Sequence, residues 1–254
     1  MQSRNDIGFG KKVRACWLDA ALRQAAGGVP FEQAKDALAK DIAADNSGAE
    51  AIRKIQTALK RVWFTPPDYC RALHDDALNL FRLDPTPATR FILNWGMTIA
   101  AYPFVGDVAE ALGRLLKLQG EARRADVDRR LQEQRGDRGF VNRITRVNVS
   151  SFLDWGVIVA TKAPGVYRSG AQVSPGRPEQ LAWLAEAVLI SRGTDQMSFS
   201  QLCHHPILFP VQLDAFNPSL LRASPRLRIE RQNLNEAFIF LASEHKTRSP
   251  EVET

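Results

Sequence analysis

The chain has 254 residues, enough for one large domain or two to three small ones with real cores. Its 44% apolar and 24% charged residues are those of an ordinary globular protein, and three widely spaced cysteines (Cys16, Cys70, Cys203) with no C-x-x-C exclude a disulfide framework and fit a reducing cytoplasm. The net charge of +6, carried mostly by arginine, raises the expectation of a polyanion partner, because guanidinium forms planar paired bonds to phosphate and guanine.

"MQSRNDIGFGKK" lacks the apolar core of a signal peptide. The most membrane-like stretch, "FILNWGMTIAAYPFVG" (91–106), is too short to span and carries Asn94 and Pro103, so it reads as a buried core helix and its end. No membrane association is expected.

Residues 12–64 read as three helices. The first, about Lys12–Ala26, carries Val13, Trp17, Ala20 and Leu22 and stops at Gly27-Gly28. The second starts at Pro30 and spaces Phe31, Ala34, Leu38 and Ile42 about one turn apart. "SGAE" (47–50) has capping-box form, with Ser47 as cap and Glu50 reaching back. The third helix has an apolar stripe of Ile52, Ile55 and Leu59, with Arg53, Lys54, Lys60 and Arg61 mostly outside it. Helix, turn and capped basic helix outline a helix-turn-helix; a three-helix bundle with a charged exterior fits the same pattern.

"TPPDY" breaks the chain before a helix over about Asp68–Phe81, and "DPTP" breaks it again. A helix over 88–101 and a second carrying Val108, Leu112, Leu115, Leu116 and Leu118, capped by Asp107, form a central helical core. The charged stretch "EARRADVDRRLQEQRGDR" contains a short amphipathic helix over 126–135 through Val127 and Leu131. Gly136 ends it, and Asp137 caps the next.

That next helix, over 137–155, is the most informative segment. At 100° per residue, Phe140, Val141, Val147, Phe152 and Trp155 fall on the side of Ile144. Arg138, Asn142 and Arg146 fall opposite, and Arg143 at the flank. Arginine pairs with guanine and asparagine with adenine, and both reach phosphates. Val149 and Leu153 lie toward the polar side, so the second half of the helix is expected to be buried all round. Asp154-Trp155 reads as ordering the helix end. "VIVATKAPGVYRSGAQV" follows as a β-hairpin, with strands Val157–Thr161 and Val166–Arg168 and a turn at "APG". Helix, tight turn, basic helix and hairpin match a winged helix-turn-helix, whose second helix enters the major groove. Lys162 and Arg168 would sit on the wing. A winged helix used only for protein contacts is the competing reading.

Beyond the hairpin, Pro175 and Pro178 precede a strong helix, "EQLAWLAEAVLISRG". "FSQLCHHPILFPVQL" mixes a short helix with a strand, "SLLRAS" gives a helical turn, and "RLRIERQ" and "NEAFIFLA" read as strands. Arg226, Arg228 and Glu230 share one strand face, opposite Leu227 and Ile229, in a basic cluster completed by Arg222 and Arg231.

No P-loop, dinucleotide Gly-rich loop, H-E-x-x-H or G-x-S-x-G occurs. Cys203-His204-His205 lacks partners at zinc-finger spacing and reads as a packed loop. Cys70 and His74, one turn apart, have no second pair, and Asp75-Asp76 read as surface charge. No catalytic residue, metal or cofactor is expected.

The order of parts resembles the BrxA-type DNA-binding proteins of bacteriophage-exclusion (BREX) defence systems, or a distant relative of them. The resemblance rests on the N-terminal unit ending in "SGAEAIRKIQTALKRVW", the helical middle, and the basic helix ending in "LDWGVI". It covers about 12–160, at the level of architecture, and the 175–254 extension departs from it. It implies a non-enzymatic protein that binds double-stranded DNA as an accessory to larger defence proteins. It also makes Arg53, Lys54, Lys60 and Arg61 a second contact surface.

The expected fold is mainly α. It comprises a helix-turn-helix-like bundle over 1–64, a central helical core over 65–120, a winged-helix-like unit with a short β-hairpin over 121–174, and a C-terminal helix, short strands and polar tail over 175–254. The expected function is double-stranded DNA binding through Arg138, Asn142, Arg143, Arg146, Lys162 and Arg168, with Arg53, Lys54, Lys60 and Arg61 at a second site. Two alternatives remain: a structural adaptor whose basic faces meet acidic partner proteins, and an RNA-binding helical protein.

Overall fold

In a computed structural model, residues 8–45, 48–136, 139–213, 217–231 and 236–242 are described. The first three helices follow the apolar spacing. α1 (Ala15–Ala26) buries Trp17, Leu18, Ala21 and Leu22 and ends at Gly27, with Gly28 in the left-handed region at φ +74°. α2 (Phe31–Ala43) opens behind Pro30 and buries Ala34, Leu38 and Ile42. α3 (Ala49–Trp63) buries Ile55, Ala58, Leu59, Val62 and Trp63, and the three helices pack on one another. Ser47, the expected cap of α3, lies outside the described residues. The helix starts behind Gly48, which offers no capping side chain, and Glu50 pairs with Lys54 at 2.5 Å.

A 3-10 turn at Asp68–Cys70 leads into α4 (Arg71–Leu83). Thr86 caps α5 (Pro87–Ala101), accepting the Thr89 N–H, and α5 is buried continuously from Ile92 to Ala101. The capping role expected of Asp107 is corrected. Pro103, suited to a first turn, starts α6 (Pro103–Gln119) earlier, so Asp107 lies inside it and pairs with Arg135 and Arg192. α9 (Pro178–Arg192) is buried along nearly its whole length and packs on α5. Gly96 makes that approach possible: a Cβ there would sit 2.4 Å from the Trp183 ring. Trp183 Nε1 donates to Leu73 O at 2.8 Å, adding α4 to the stack.

After α6 the chain runs β1 (Ala122–Arg123), α7 (Arg124–Arg135), α8 (Gly139–Asp154), β2 (Ile158–Ala160) and β3 (Val166–Ser169). These strands form an antiparallel sheet in the order β1-β3-β2, with Tyr167 opposite both Ala122 and Ala160. The hairpin is where the sequence places it; β1 is an addition. A second antiparallel sheet joins β4 (Gln196–Ser198), β6 (Ala237–Leu241) and β5 (Leu227–Arg231), in the order β4-β6-β5. Between β4 and β5 lie α10 (Phe199–Cys203), opened by a Ser198–Gln201 capping box, and two 3-10 turns.

Arg228 and Glu230 form the expected exposed face of β5 opposite Leu227 and Ile229, but the place expected of Arg226 on that face is corrected. β5 begins at Leu227, and Arg226 turns inward to bond Glu186 Oε1 through Nε (2.7 Å) and Asp76 Oδ2 through Nη2 (2.6 Å). Asp76 therefore works as an anchor, not as idle surface charge.

Buried apolar side chains form one cluster from Phe9 to Ile239, so the expected units at 1–64, 65–120, 121–174 and 175–254 share a core. Among the described residues no helix is long and apolar enough to cross a membrane. The fold is mainly helical with small antiparallel sheets.

Candidate nucleic-acid interface

α8 is held on one side by polar side chains as well as apolar ones. Asn148 Oδ1 accepts the Phe9 N–H (3.4 Å), and Ser151 Oγ accepts the Val13 N–H (2.9 Å). Asp154 Oδ2 accepts the Ala15 N–H (3.0 Å), while its Oδ1 pairs with Arg14 Nε and Lys12 Nζ, both at 3.1 Å. Trp155 Nε1 donates to Val13 O at 2.9 Å. Residues 9–15 thus run alongside α8 in the same direction, and Asp154 places a carboxylate at the start of α1, where the helix dipole favours negative charge.

The buried arc extends beyond the purely apolar one, because Thr145 and Val149 are enclosed as well. Thr145, Asn148 and Ser151 are buried with Val141, Ile144, Val149 and Phe152. The exposed stripe is Gly139, Arg143 and Arg146, at helical spacings of four and three. Arg143, expected at the flank, belongs to that stripe. Asn142, expected beside Arg146, is corrected: it is half-buried, and its Oδ1 accepts from Gln132 Nε2 of α7 at 3.0 Å. Arg138 lies outside the described residues. Val149 is 2% exposed and Leu153 half-buried against the core, so the second half of α8 is enclosed as expected. Neither Arg143 nor Arg146 has an ion pair among the described residues.

The hairpin turn closes through Thr161 N–H to Val166 O (3.0 Å), with Gly165 at φ +73°. Lys162 is exposed at its tip. Arg168 is also exposed, but its Nε and Nη2 both donate to Glu121 Oε1, at 2.9 and 2.6 Å, which offsets its charge.

The four cations of α3 do not form one free surface. Lys54 pairs with Glu50. Lys60 Nζ lies 4.8 Å from the Phe31 ring centroid and 3.9 Å from Glu32. Arg61 is half-buried, donates from Nε to Ala101 O (3.0 Å) and covers the Tyr102 ring at 5.1 Å, fastening α3 to the end of α5. Arg53 is exposed and has no ion pair among the described residues. Arg61 is tied to the end of α5, and Arg53, beside Glu50, is the one of the four with no ion pair among the described residues.

His205, Cys70 and His74 are engaged in the packing of the fold. His205 Nδ1 accepts the Ile207 N–H (3.3 Å), and burial lowers the imidazole pKa to about 4 against the pull of Glu110. Cys70 is buried, and burial pushes its thiol up to about 12. His74 Nε2 donates to Trp63 O at 3.0 Å. Among the described residues no three His, Cys, Asp or Glu side chains are grouped to hold a metal ion.

No protein-family model, curated protein or solved structure matches the chain.

Sequence reasoning missed the anchoring roles of Asn148 and Ser151 and the partner of Asp154. A signal was present: three polar residues at three-residue spacing keep one helix face, as a buried polar seam requires.

Proposed function

We propose that α6 through β3 form a winged helix-turn-helix that binds double-stranded DNA without catalysing a reaction. The observation that carries this reading is the order helix, strand, helix, helix, strand, strand. It closes into the sheet β1-β3-β2 and leaves Arg143 and Arg146 facing outward on the second helix of the pair. In such modules the first half of the second helix reaches the base edges. The first half is also where the exposed arginines of α8 lie; from Asn148 onward the helix is largely enclosed. Lys162, exposed at the hairpin tip, would meet a phosphate beside the groove. Asn142, engaged by Gln132, is not assigned a base contact, and Arg53 is the one α3 residue assigned to a second contact. A place in a phage-defence system rests on the BREX resemblance alone.

The test is a mobility-shift titration on duplex DNA at two salt concentrations. Each phosphate contact adds about 0.9 to the logarithmic salt slope, so Arg143→Ala/Arg146→Ala should lower the slope by up to about 1.8 and weaken binding. No duplex binding at low salt, or unchanged affinity in the double variant, refutes the assignment. A stronger affinity for structured RNA moves the reading to RNA. Nuclease-resistant capture of protein partners without nucleic-acid affinity moves it to an adaptor.

A further inference from the structure

Between the starts of α1 and α5 and the end of α8 lies a pocket of about 140 Å³. Its apolar walls are Leu18, Phe91, Trp95 and Trp155, with Asp19, Arg90 and Asn94 at its polar side. Trp95 stands parallel to Phe91 (6.3 Å, 14°) and edge-on to Trp155 (6.1 Å, 85°), so the lining holds three aromatic rings in both stacked and edge-on relation.

Most polar groups of the lining are engaged within the protein. Asp19 accepts from Arg90 Nε at 3.1 Å and from Asn94 Nδ2 at 2.7 Å. Asn94 Oδ1 accepts from Trp63 Nε1 (2.9 Å), and Arg90 Nη1 donates to Pro85 O (2.8 Å). The two indole N–H groups point away to backbone carbonyls, Trp95 to Ile207 O (3.2 Å) and Trp155 to Val13 O (2.9 Å). Water in the pocket finds few partners, and displacing poorly held water with an apolar group gains affinity.

We propose that this pocket binds a small planar aromatic molecule of one ring or one fused pair. The size fits: an apolar cavity of about 150 Å³ stays dry and takes up benzene. An aromatic ring is favoured over a saturated one because Phe91, Trp95 and Trp155 supply offset and edge contacts, and the Arg90 guanidinium at the rim favours a π-face. The ligand carries at most one hydrogen-bond acceptor, because the lining leaves little polar capacity. Trp155 joins the pocket to the end of α8, but filling the pocket requires no nucleic acid, so this site stands or falls independently of DNA binding.

The probe is indole, titrated into the full-length protein while the five tryptophan indole N–H resonances are followed by NMR. Saturable shifts of Trp95 and Trp155, with Trp17 and Trp183 stationary and a dissociation constant of about 1 mM or tighter, are expected for a ligand this small. Shifts of all these resonances that rise linearly with indole overturn the site. Ala15→Phe projects a ring from a half-exposed wall position and should weaken binding by at least about tenfold, while Ala15→Ser retains it. Unchanged affinity in a folded Ala15→Phe overturns the proposal, and the wild-type titration decides the matter if that variant does not fold.

Discussion

Replacing Arg226 with alanine exposes how the C-terminal sheet is fixed to the helical core. Arg226 spans two carboxylates, one on α9 and one on α4. The Glu186 side chain is 4% exposed and that of Asp76 43%. Asp76 can return to water when the guanidinium is gone; Glu186 cannot. Removing one partner of a buried pair costs about 3–5 kcal/mol, chiefly because the other charge is left uncompensated. With a urea m-value of about 2.5 kcal/mol/M, that loss lowers the unfolding midpoint by roughly 1–2 M. The pH dependence has a definite sign. Burial raises the Glu186 carboxyl above its ordinary range, and Arg226 pulls it back. Without Arg226 it rises further, so the folded variant holds a proton that the unfolded chain has released. The resulting penalty is full above the folded pKa and disappears below the unfolded value of about 4.3. Urea unfolding followed by circular dichroism at pH 7 and pH 5 should therefore find the deficit of Arg226→Ala smaller at pH 5. Glu186→Gln/Arg226→Met, which removes both charges, should be less destabilised than Arg226→Ala. A loss under about 0.5 kcal/mol at pH 7 with no pH dependence would assign the pair the weak energetics of a surface bridge and refute this account.

Gly113→Ala should destabilise by about 1–3 kcal/mol in thermal or urea unfolding, because a Cβ there lies 2.0 Å from Pro206 O and overpacking outweighs the gain of about 1 kcal/mol in helix propensity. Asp154→Ala should cost about 1–2 kcal/mol, since the carboxylate accepts the Ala15 N–H at the start of α1, and Asp154→Asn should recover part of that loss. His205 makes stability fall on acidification. Its folded pKa of about 4 lies below the unfolded value of about 6.5, so the contribution is present above 6.5 and is lost as pH falls toward 4, by up to about 3 kcal/mol. His205→Asn, which keeps an acceptor for Ile207 N–H, should flatten that dependence in unfolding curves recorded between pH 4 and 7.

Helices with one-sided burial were legible because a single face repeats: Ala34, Leu38 and Ile42 in α2 are an example. Two kinds of feature were not legible. β1 is two residues, Ala122 and Arg123, with no alternation to detect; it is a strand only because β3 arrives beside it from more than forty positions away. Cation exposure was the other. Arg61 and Arg226 fit an outward-facing pattern in the sequence, yet each closes a contact with a distant element, Ala101 O in one case and Glu186 in the other. Arginine suits such joints because its long apolar stem packs while its fork meets two acceptors.

On α8 the exposed stripe lies to one side of the direction that apolar spacing gives. Hydrophobic periodicity locates a buried face only when that face is apolar. On α8, part of the buried face is Thr145, Asn148 and Ser151, and two of these take their partners from residues 9–13, about 140 positions earlier in the chain. Asn148 and Ser151 lie inside the apolar arc around Ile144; the burial of Thr145 and Val149, about 100° and 140° round from Ile144, carries the buried face further and leaves Arg143 in the exposed stripe. Once the N-terminal segment is in place, the outward direction passes between Arg143 and Arg146, and Asn142 turns to Gln132. The N-terminal segment therefore conceals the polar seam, and Arg143 and Arg146 face away from it. Weakening that seam with Asn148→Ala or Ser151→Ala should disturb any function of Arg143 and Arg146 without touching either arginine.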